Sequence, residues 1–301
     1  MDLKKKVKFN PMSSEKLIIL DANNLAHIAK HSCHGLSFGE IDTGVIFGFL
    51  RSVRILAKTL DSGNMVFVWD SSNSKRKKLL PSYKGNRRDK EKSAQEQYLD
   101  ASAAKQFVLL QEYILPKLGF RNNFQQDGYE ADDLVAAIVK NEKRSSENKV
   151  VVSSDEDMFQ LLDHCCIWLP MKKARITRET FIKLWGVEPK VWIDVKCIAG
   201  CSSDNIPGVT GVGTYTAIKY LTGVLTKGKT FDLLDKEGKA LSYIADNEPL
   251  VKLPFPGTAI PEIKKYFRFK KRFIQVFDEF GLSSFLRDLE WAEWVKLFNL
   301  G

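Results

Sequence analysis

The sequence predicts an α/β fold built on a mostly parallel sheet, with its chemistry at the carboxyl ends of the strands. Three short apolar runs carry this reading, and each leads into aspartate: "KLIILD" at Asp21, "NMVFVWD" at Asp70 and "KVVVSSDED" at Asp155 and Asp157. Runs rich in Val, Ile and aromatics with polar residues on both sides read as strands buried on both faces. Segments of helical periodicity lie between them, among them "TGVIFGFLRSVRILAKTL" over 43–60 and "ASAAKQFVLLQEYILPKL" over 101–118. Such alternation is the pattern of a parallel sheet. Functional groups in these sheets gather beyond the carboxyl ends of the strands, and the aspartates all lie there.

A fourth unit follows the same rule. "FRNNFQQDGY" supplies a short strand and "EADDLVAAIVKNEKR" an amphipathic helix whose first turn holds Glu130, Asp132 and Asp133. The helix dipole favours negative charge there by about 0.3–1 kcal/mol, and Glu130 and Asp133, three apart, share a face. Capping explains one acid at this place; it does not explain three beside three acidic strand ends. Carboxylates so crowded repel unless a cation sits among them, so the pattern points to a metal site. Oxygen ligands without histidine select Mg²⁺ or Mn²⁺ over zinc.

Formal charge is +9 on 301 residues, which favours a polyanionic partner. Its densest source is "SKRKKLLPSYKGNRRDKEK", over 74–92, with nine lysines and arginines against Asp89 and Glu91 and with Tyr83 among them. Cations interleaved with an aromatic suit phosphate contacts and base stacking. A second signal is "DNIPGVTGVGTYTAIKYL", over 204–221. Its Pro207 and Gly208, then Gly211 and Gly213 around Val212, describe a tight hairpin opening into a helix whose first amides can bind phosphate without reading bases.

No apolar run approaches the roughly 18 residues of a membrane span, and the lysines near the start are followed by no signal-peptide core. The expectation is a soluble intracellular protein. Five cysteines, Cys33, Cys165, Cys166, Cys197 and Cys201, have no paired spacing and read as reduced thiols. The cluster His27, His31, Cys33 and His34 reads as surface or core histidines, lacking the Glu of a zinc-protease helix.

In order, "LDANNL", "FVWD", "SYKGNR", "YEADD", "SSDEDMFQLL" and "AGCSSDNIPGVTGVG" resemble the flap endonuclease family, particularly bacteriophage 5′-nucleases and the 5′-nuclease domain of bacterial DNA polymerase I. The likeness covers residues 17–221 and includes no polymerase region, so the expectation is a free-standing, phage-type enzyme. The resemblance implies a PIN-like core over 1–185 with a helical arch at about 72–100. A helical region over 186–301 would follow, with a helix-hairpin-helix at about 196–223 that grips duplex DNA, often with K⁺. It implies two Mg²⁺ ions, replaceable by Mn²⁺. Asp21, Asp70, Glu130, Asp132 and Asp133 would surround the first, with Asp155 shared, and Asp157 and Asp204 would belong to the second. Lys84 matches the arch lysine at the scissile phosphate, with Tyr83 and Arg87 as its catalytic neighbours. Lys75, Arg76, Lys77, Lys78, Lys84, Arg87, Arg88, Gly208, Gly211, Gly213 and Lys219 would contact nucleic acid.

The implied activity is 5′→3′ exonuclease and flap endonuclease cleavage of DNA with a 5′ flap or 5′ end, and of RNA primers in RNA–DNA hybrids, by a monomer working beside replication proteins. One departure bears on the second metal: where the family commonly reads "GDxSDN", this chain has "GCSSDN". Cys201 thus replaces a hard oxygen ligand with a soft one, which predicts weaker metal affinity or dependence on Mn²⁺. A structure-specific DNA-binding protein with decayed catalysis is the alternative. A small-molecule phosphatase is disfavoured, because "DANN" after the first strand lacks a DxD nucleophile motif and the basic segment would have no role.

Overall fold

The computed structural model describes residues 16–33, 35–87 and 92–301, with the backbone alone for Arg87. The described chain begins with β1 (Leu17–Asp21), α1 (Ala22–Ser32), a small hairpin of β2 (Ser37–Phe38) and β3 (Ile41–Asp42), α2 (Gly44–Leu60) and β4 (Met65–Val68). Among the described residues, the basic segment contributes one short helix, α3 (Arg76–Leu79), and a tight turn over Gly85–Arg87. Then come α4 (Ala94–Leu109), which a wide turn joins to α5 (Leu115–Leu118), β5 (Asn123–Phe124), α6 (Ala131–Asn141), β6 (Lys149–Val152), β7 (Cys166–Leu169) and β8 (Ala174–Ile176). The remainder is helical: α7 (Arg178–Trp185), α8 (Trp192–Ala199), α9 (Thr214–Leu221), α10 (Lys229–Leu234), α11 (Lys239–Val251), α12 (Lys270–Glu279) and α13 (Asp288–Leu297).

Six strands form one sheet in the order β5-β4-β1-β6-β7-β8. All neighbours are parallel except β8, which runs antiparallel to β7. Register aligns Asp21 with Val68, and Leu20 with Val152, so the residues that follow these strands leave the sheet side by side. The chain passes from β1 to β4 and β5 on one side and returns to β6 on the other. That reversal makes the crevice beyond β1 a topological switch point, where doubly wound sheets bind ligands.

Alternation along the strands divides the interior into two layers. Ile18, Leu20 and Phe67 face α1, α2 and the aromatic side chains of Phe273 and Phe277 on α12, Trp294 on α13 and Phe298 just beyond it. Leu17, Ile19, Val66 and Val68 face α6, α7, α8 and α9. Apolar residues from both sides of the expected 185/186 boundary therefore share each core. Residues 268–273 pack the same way: Phe273 is fully buried on α12, and Arg268 turns inward onto the carbonyls of Phe298 and Gly63. All five cysteines are free. Among the described residues no helix is long and apolar enough to cross a membrane.

Candidate metal centre and nucleic-acid interface

The strand-end acids converge because each is tied to its neighbour's element. Asp21 ends β1 and caps α1, one carboxylate oxygen accepting from the Asn24 amide (2.9 Å) and the other from Ser153 Oγ (3.0 Å). Asp70, two residues beyond β4, donates its amide to Asn23 Oδ1 (2.8 Å), and its Oδ1 accepts from the Ala131 amide (2.8 Å) at the start of α6. Asp155 donates its amide to Ser153 Oγ, and its Oδ1 accepts from the Asp157 amide. Asp132 projects from the first turn of α6.

Their electrostatics record the crowding. Burial, then Asp70 and Asp155, push the Asp21 carboxyl up to about 7 against the hydrogen bonds from Asn24 and Ser153. Burial, then Asp155, Asp21 and Asp70, raise Asp132 well above the usual carboxylate range, with Lys84 opposing. Burial among like charges makes ionising Asp21 and Asp132 costly, and a cation placed among these acids would offset that cost. Divalent ions fit this donor set, which is all hard oxygen.

Glu130 and Asp133 have another answer. Asp133, expected at the first metal, is wholly buried and receives Arg76 Nη1 and Nη2 at 2.7 Å each, one per oxygen. The same two oxygens also accept the amides of Glu130 (3.1 Å) and Phe255 (2.8 Å). Both are thereby spent on the protein itself. Glu130 accepts from Tyr83 Oη (2.9 Å) and from Lys84 Nζ (2.9 Å), with Arg76 Nη1 at 3.5 Å. Burial pushes the Glu130 carboxyl upward, but Lys84 and Arg76 outweigh it and hold it below its ordinary range. The chain supplies its own cations to two of the three acids of "YEADD".

Arg76 and Tyr83 also differ from expectation. Arg76, read as a nucleic-acid contact, is 2% exposed; its Nε donates to the Leu250 carbonyl (2.8 Å) and its guanidinium lies 5.1 Å from the Phe255 ring centre. Tyr83 is equally buried, so it supports Glu130 from beneath and offers no face for a base to stack on. Lys75 lies over the Tyr129 ring at 4.0 Å and donates to its hydroxyl. Lys77 is half-buried and Lys78 exposed. Arg88 and the Arg87 side chain lie outside the described residues.

A second grouping joins the core to the helical region. Ligand atoms of Asp157, Cys201 and Asp204 lie within 4.8 Å of one another. Burial, then Asp155, raise Asp157 to about 6, against the opposing charge of Lys196, whose Nζ is 2.8 Å from Asp157 Oδ1. Cys201 thus lies within ligand distance of both carboxylates. Lys196 went unread, and its signal is weak: one lysine on α8, a turn before "GCSSDN". Asn23 and Ser153, which orient Asp70 and Asp21, were likewise unmarked.

Between α8 and α9 the chain makes a tight loop, with the Val209 amide on the Ile198 carbonyl (2.8 Å) and the Val212 amide on that of Val209 (2.9 Å). Asn247 on α11 braces it from behind, donating to the carbonyls of Cys197 (2.9 Å) and Pro207 (2.8 Å). Its glycines serve different ends. Gly208 presses on α8, where a Cβ would come 2.2 Å from the Ala199 carbonyl oxygen, whereas a Cβ on Gly213 would meet nothing within 4 Å. Gly211 has φ +79°, a conformation glycine adopts freely. Gly213 satisfies no constraint of its own fold and leaves backbone bare at the start of α9. Lys219 is exposed on that helix.

Residues 16–186 match the family model described as "5'-3' exonuclease, N-terminal resolvase-like domain". The chain belongs to the 5′-nuclease family. This family member is 30% identical over 267 residues to the 5'-3' exonuclease of Bacillus subtilis, covering 83% of this chain and 86% of that protein. It is 32% identical over 185 residues to the 5'-3' exonuclease of Buchnera aphidicola, covering 60% of this chain and 61% of the relative's length. It spans 24% of the thermostable Thermus DNA polymerases I that it matches. Among solved structures, zinc-bound 5'-exonuclease of T5 superposes with a TM-score of 0.65 at 25% identity, covering 79% of this 5′-nuclease chain and 90% of that one.

Proposed function

We propose that this protein is a divalent-metal-dependent, structure-specific 5′-nuclease that hydrolyses DNA phosphodiesters near junctions of single strand and duplex. The carrying observation is the meeting of Asp21, Asp70, Asp132 and Asp155 beyond the carboxyl ends of the strands, where burial and neighbouring carboxylates raise Asp21 and Asp132, beside the cationic Lys84. Asp21, Asp70, Asp132 and Asp155 would hold one Mg²⁺; Asp157 and Asp204, with Cys201, would hold a second. Held there, such ions would supply activation of water and neutralisation of phosphate charge.

The protein's own groups do the rest. Lys84, kept charged by Glu130, Asp204 and Asp132 against its burial, acts as electrophile toward charge growing on the phosphate. To reach the phosphate, its Nζ exchanges Glu130 for a phosphate oxygen. Arg87 is assigned the same task. Lys75, Lys77, Lys78 and Arg88 draw in the 5′ single strand, while Gly211, Gly213 and Lys219 offer amides and charge to the adjacent duplex, where a K⁺ would add further positive charge. RNA primers fall within this substrate class, because the contacts are to backbone, and replication is the natural setting.

Cys201 favours one second reading, a DNA-binding protein with weakened catalysis, since a thiol serves Mg²⁺ poorly. A 5′-labelled flap duplex incubated with the protein in Mg²⁺ and in Mn²⁺ separates the two. Cutting near the junction that Asp155→Ala abolishes, with DNA binding kept, supports the nuclease. Tight binding without cutting in either metal supports the second reading.

A further inference from the structure

Lys84 and Asp204 come from segments far apart in the chain, yet they are joined backbone to backbone: the Lys84 amide donates to the Asp204 carbonyl at 2.8 Å. Two side-chain amides flank this bond in opposite directions. Asn205 Nδ2 donates to the Ser82 carbonyl (2.8 Å), and Asn86 Nδ2 donates to the Ser202 carbonyl (2.7 Å). Lys84 has φ +55° and Asn205 φ +58°, the left-handed region that non-glycine residues enter rarely and asparagine most readily. The loop that carries Asp204 is itself closed by paired bonds between Cys201 and Ile206, at 3.0 and 2.9 Å, and so moves with the α8–α9 hairpin.

Asn86, Asn205, Ser82 and Ser202 are all exposed. Bonds so placed add little to folding stability and bury no apolar surface. Their effect is geometric, fixing one segment against another. We infer that Asn205 and Asn86 are positioning residues, whose amides clasp the base of the basic segment to the hairpin so that duplex held by the hairpin brings its phosphate to Lys84. This rests on the reading of Lys84 as the phosphate-contacting group. Displacement of a reacting group by about 1 Å can cost on the order of a hundredfold in rate.

Asn205→Gly tests the clasp, because glycine keeps φ +58° without penalty while removing the amide. Asn86→Ala removes the opposite bond and guards against a local fault in the first variant. The full chain is assayed for flap-duplex affinity and single-turnover cleavage, alone and in a Lys84→Ala background. Each variant is expected to bind DNA within about twofold of the natural chain, to cleave roughly tenfold more slowly, and to lose nothing further once Lys84 is gone. Equal cleavage by both variants and the natural chain, or the same loss with and without Lys84, would overturn the clasp alone. A natural chain that binds the flap and never cuts would overturn the nuclease reading and this inference with it.

Discussion

Arg76 sets its two terminal nitrogens against the two oxygens of Asp133, 2.7 Å each, in a pocket from which water is excluded. This bidentate pair ties the start of the basic segment to α6, and through the Leu250 carbonyl to α11. Its weight is structural. Removing one partner strands a buried charge, which costs about 3–5 kcal/mol, whereas replacing both by packed apolar residues can cost little. Arg76→Met is therefore expected to lower stability by about that amount in urea unfolding, and Asp133→Asn in the same chain, which removes the stranded charge and keeps an acceptor for the amides of Glu130 and Phe255, to recover part of it. A single variant as stable as the natural protein would mean that the pair does not organise this junction.

The acid ring gives a pH dependence of definite sign. Asp21 moves from 3.8 to about 7 and Asp157 from 3.8 to about 6 on folding. Across that interval the folded chain holds protons that the unfolded chain has released, so these groups make metal-free stability fall as pH rises from about 4 to about 7. Glu130 has the opposite shift, and its contribution is lost only as pH drops below the ordinary carboxylate range. Metal-free protein is thus expected to gain melting temperature from Asp21→Asn at pH 8 and little at pH 5. Mg²⁺ should raise the natural chain's melting temperature at pH 8 more than the variant's. Thermal melts across this range check both; no gain from Asp21→Asn at pH 8 would contradict mutual crowding.

How much of this was legible depended on distance in the chain. "LIILD" and "VFVWD" announce buried strands because every side chain is apolar, and their terminal acids announce a site because a parallel sheet puts strand ends together. What those acids meet was not legible. Arg76 reads like its neighbours Lys75 and Lys77, yet it points inward because a carbonyl 174 residues later closes over it. Nothing local marks that partner. Likewise nothing local in the last helices marks that Phe273 and Trp294 complete the layer beneath β1 and β4. Cys201 was legible because only one position of a motif had changed.

Cys201 lies within ligand distance of Asp157 and Asp204, so restoring an acid tests the second metal directly. Cys201→Asp adds a hard oxygen to a site that holds two carboxylates and one ammonium. The variant is expected to reach half-maximal flap cleavage at several-fold lower Mg²⁺, with a smaller gain in Mn²⁺, which tolerates softer ligands. Without metal it should melt lower than the natural chain, because a third carboxylate adds repulsion. Metal titrations of cleavage beside metal-free melts measure both. Unchanged Mg²⁺ dependence would remove Cys201 from the metal site.

The hairpin glycines separate fold from binding. An alanine Cβ at Gly208 would strike the Ala199 carbonyl carbon and oxygen at 2.3 and 2.2 Å, and backbone there cannot yield cheaply. Gly208→Ala should therefore destabilise by about 1–3 kcal/mol, as overpacking does. Gly213 has φ −95° and open space around its Cβ direction, so alanine fits and stability should stay within about 0.5 kcal/mol. If phosphate approaches the bare amides at the start of α9, that same methyl stands in its way. Gly213→Ala is then expected to weaken binding to blunt duplex several-fold, and to leave the slope of affinity against salt nearly unchanged, since no charge is lost. Fluorescence anisotropy at several salt concentrations, with melts as control, reads this out. Full affinity in Gly213→Ala would move the duplex contact away from this helix start.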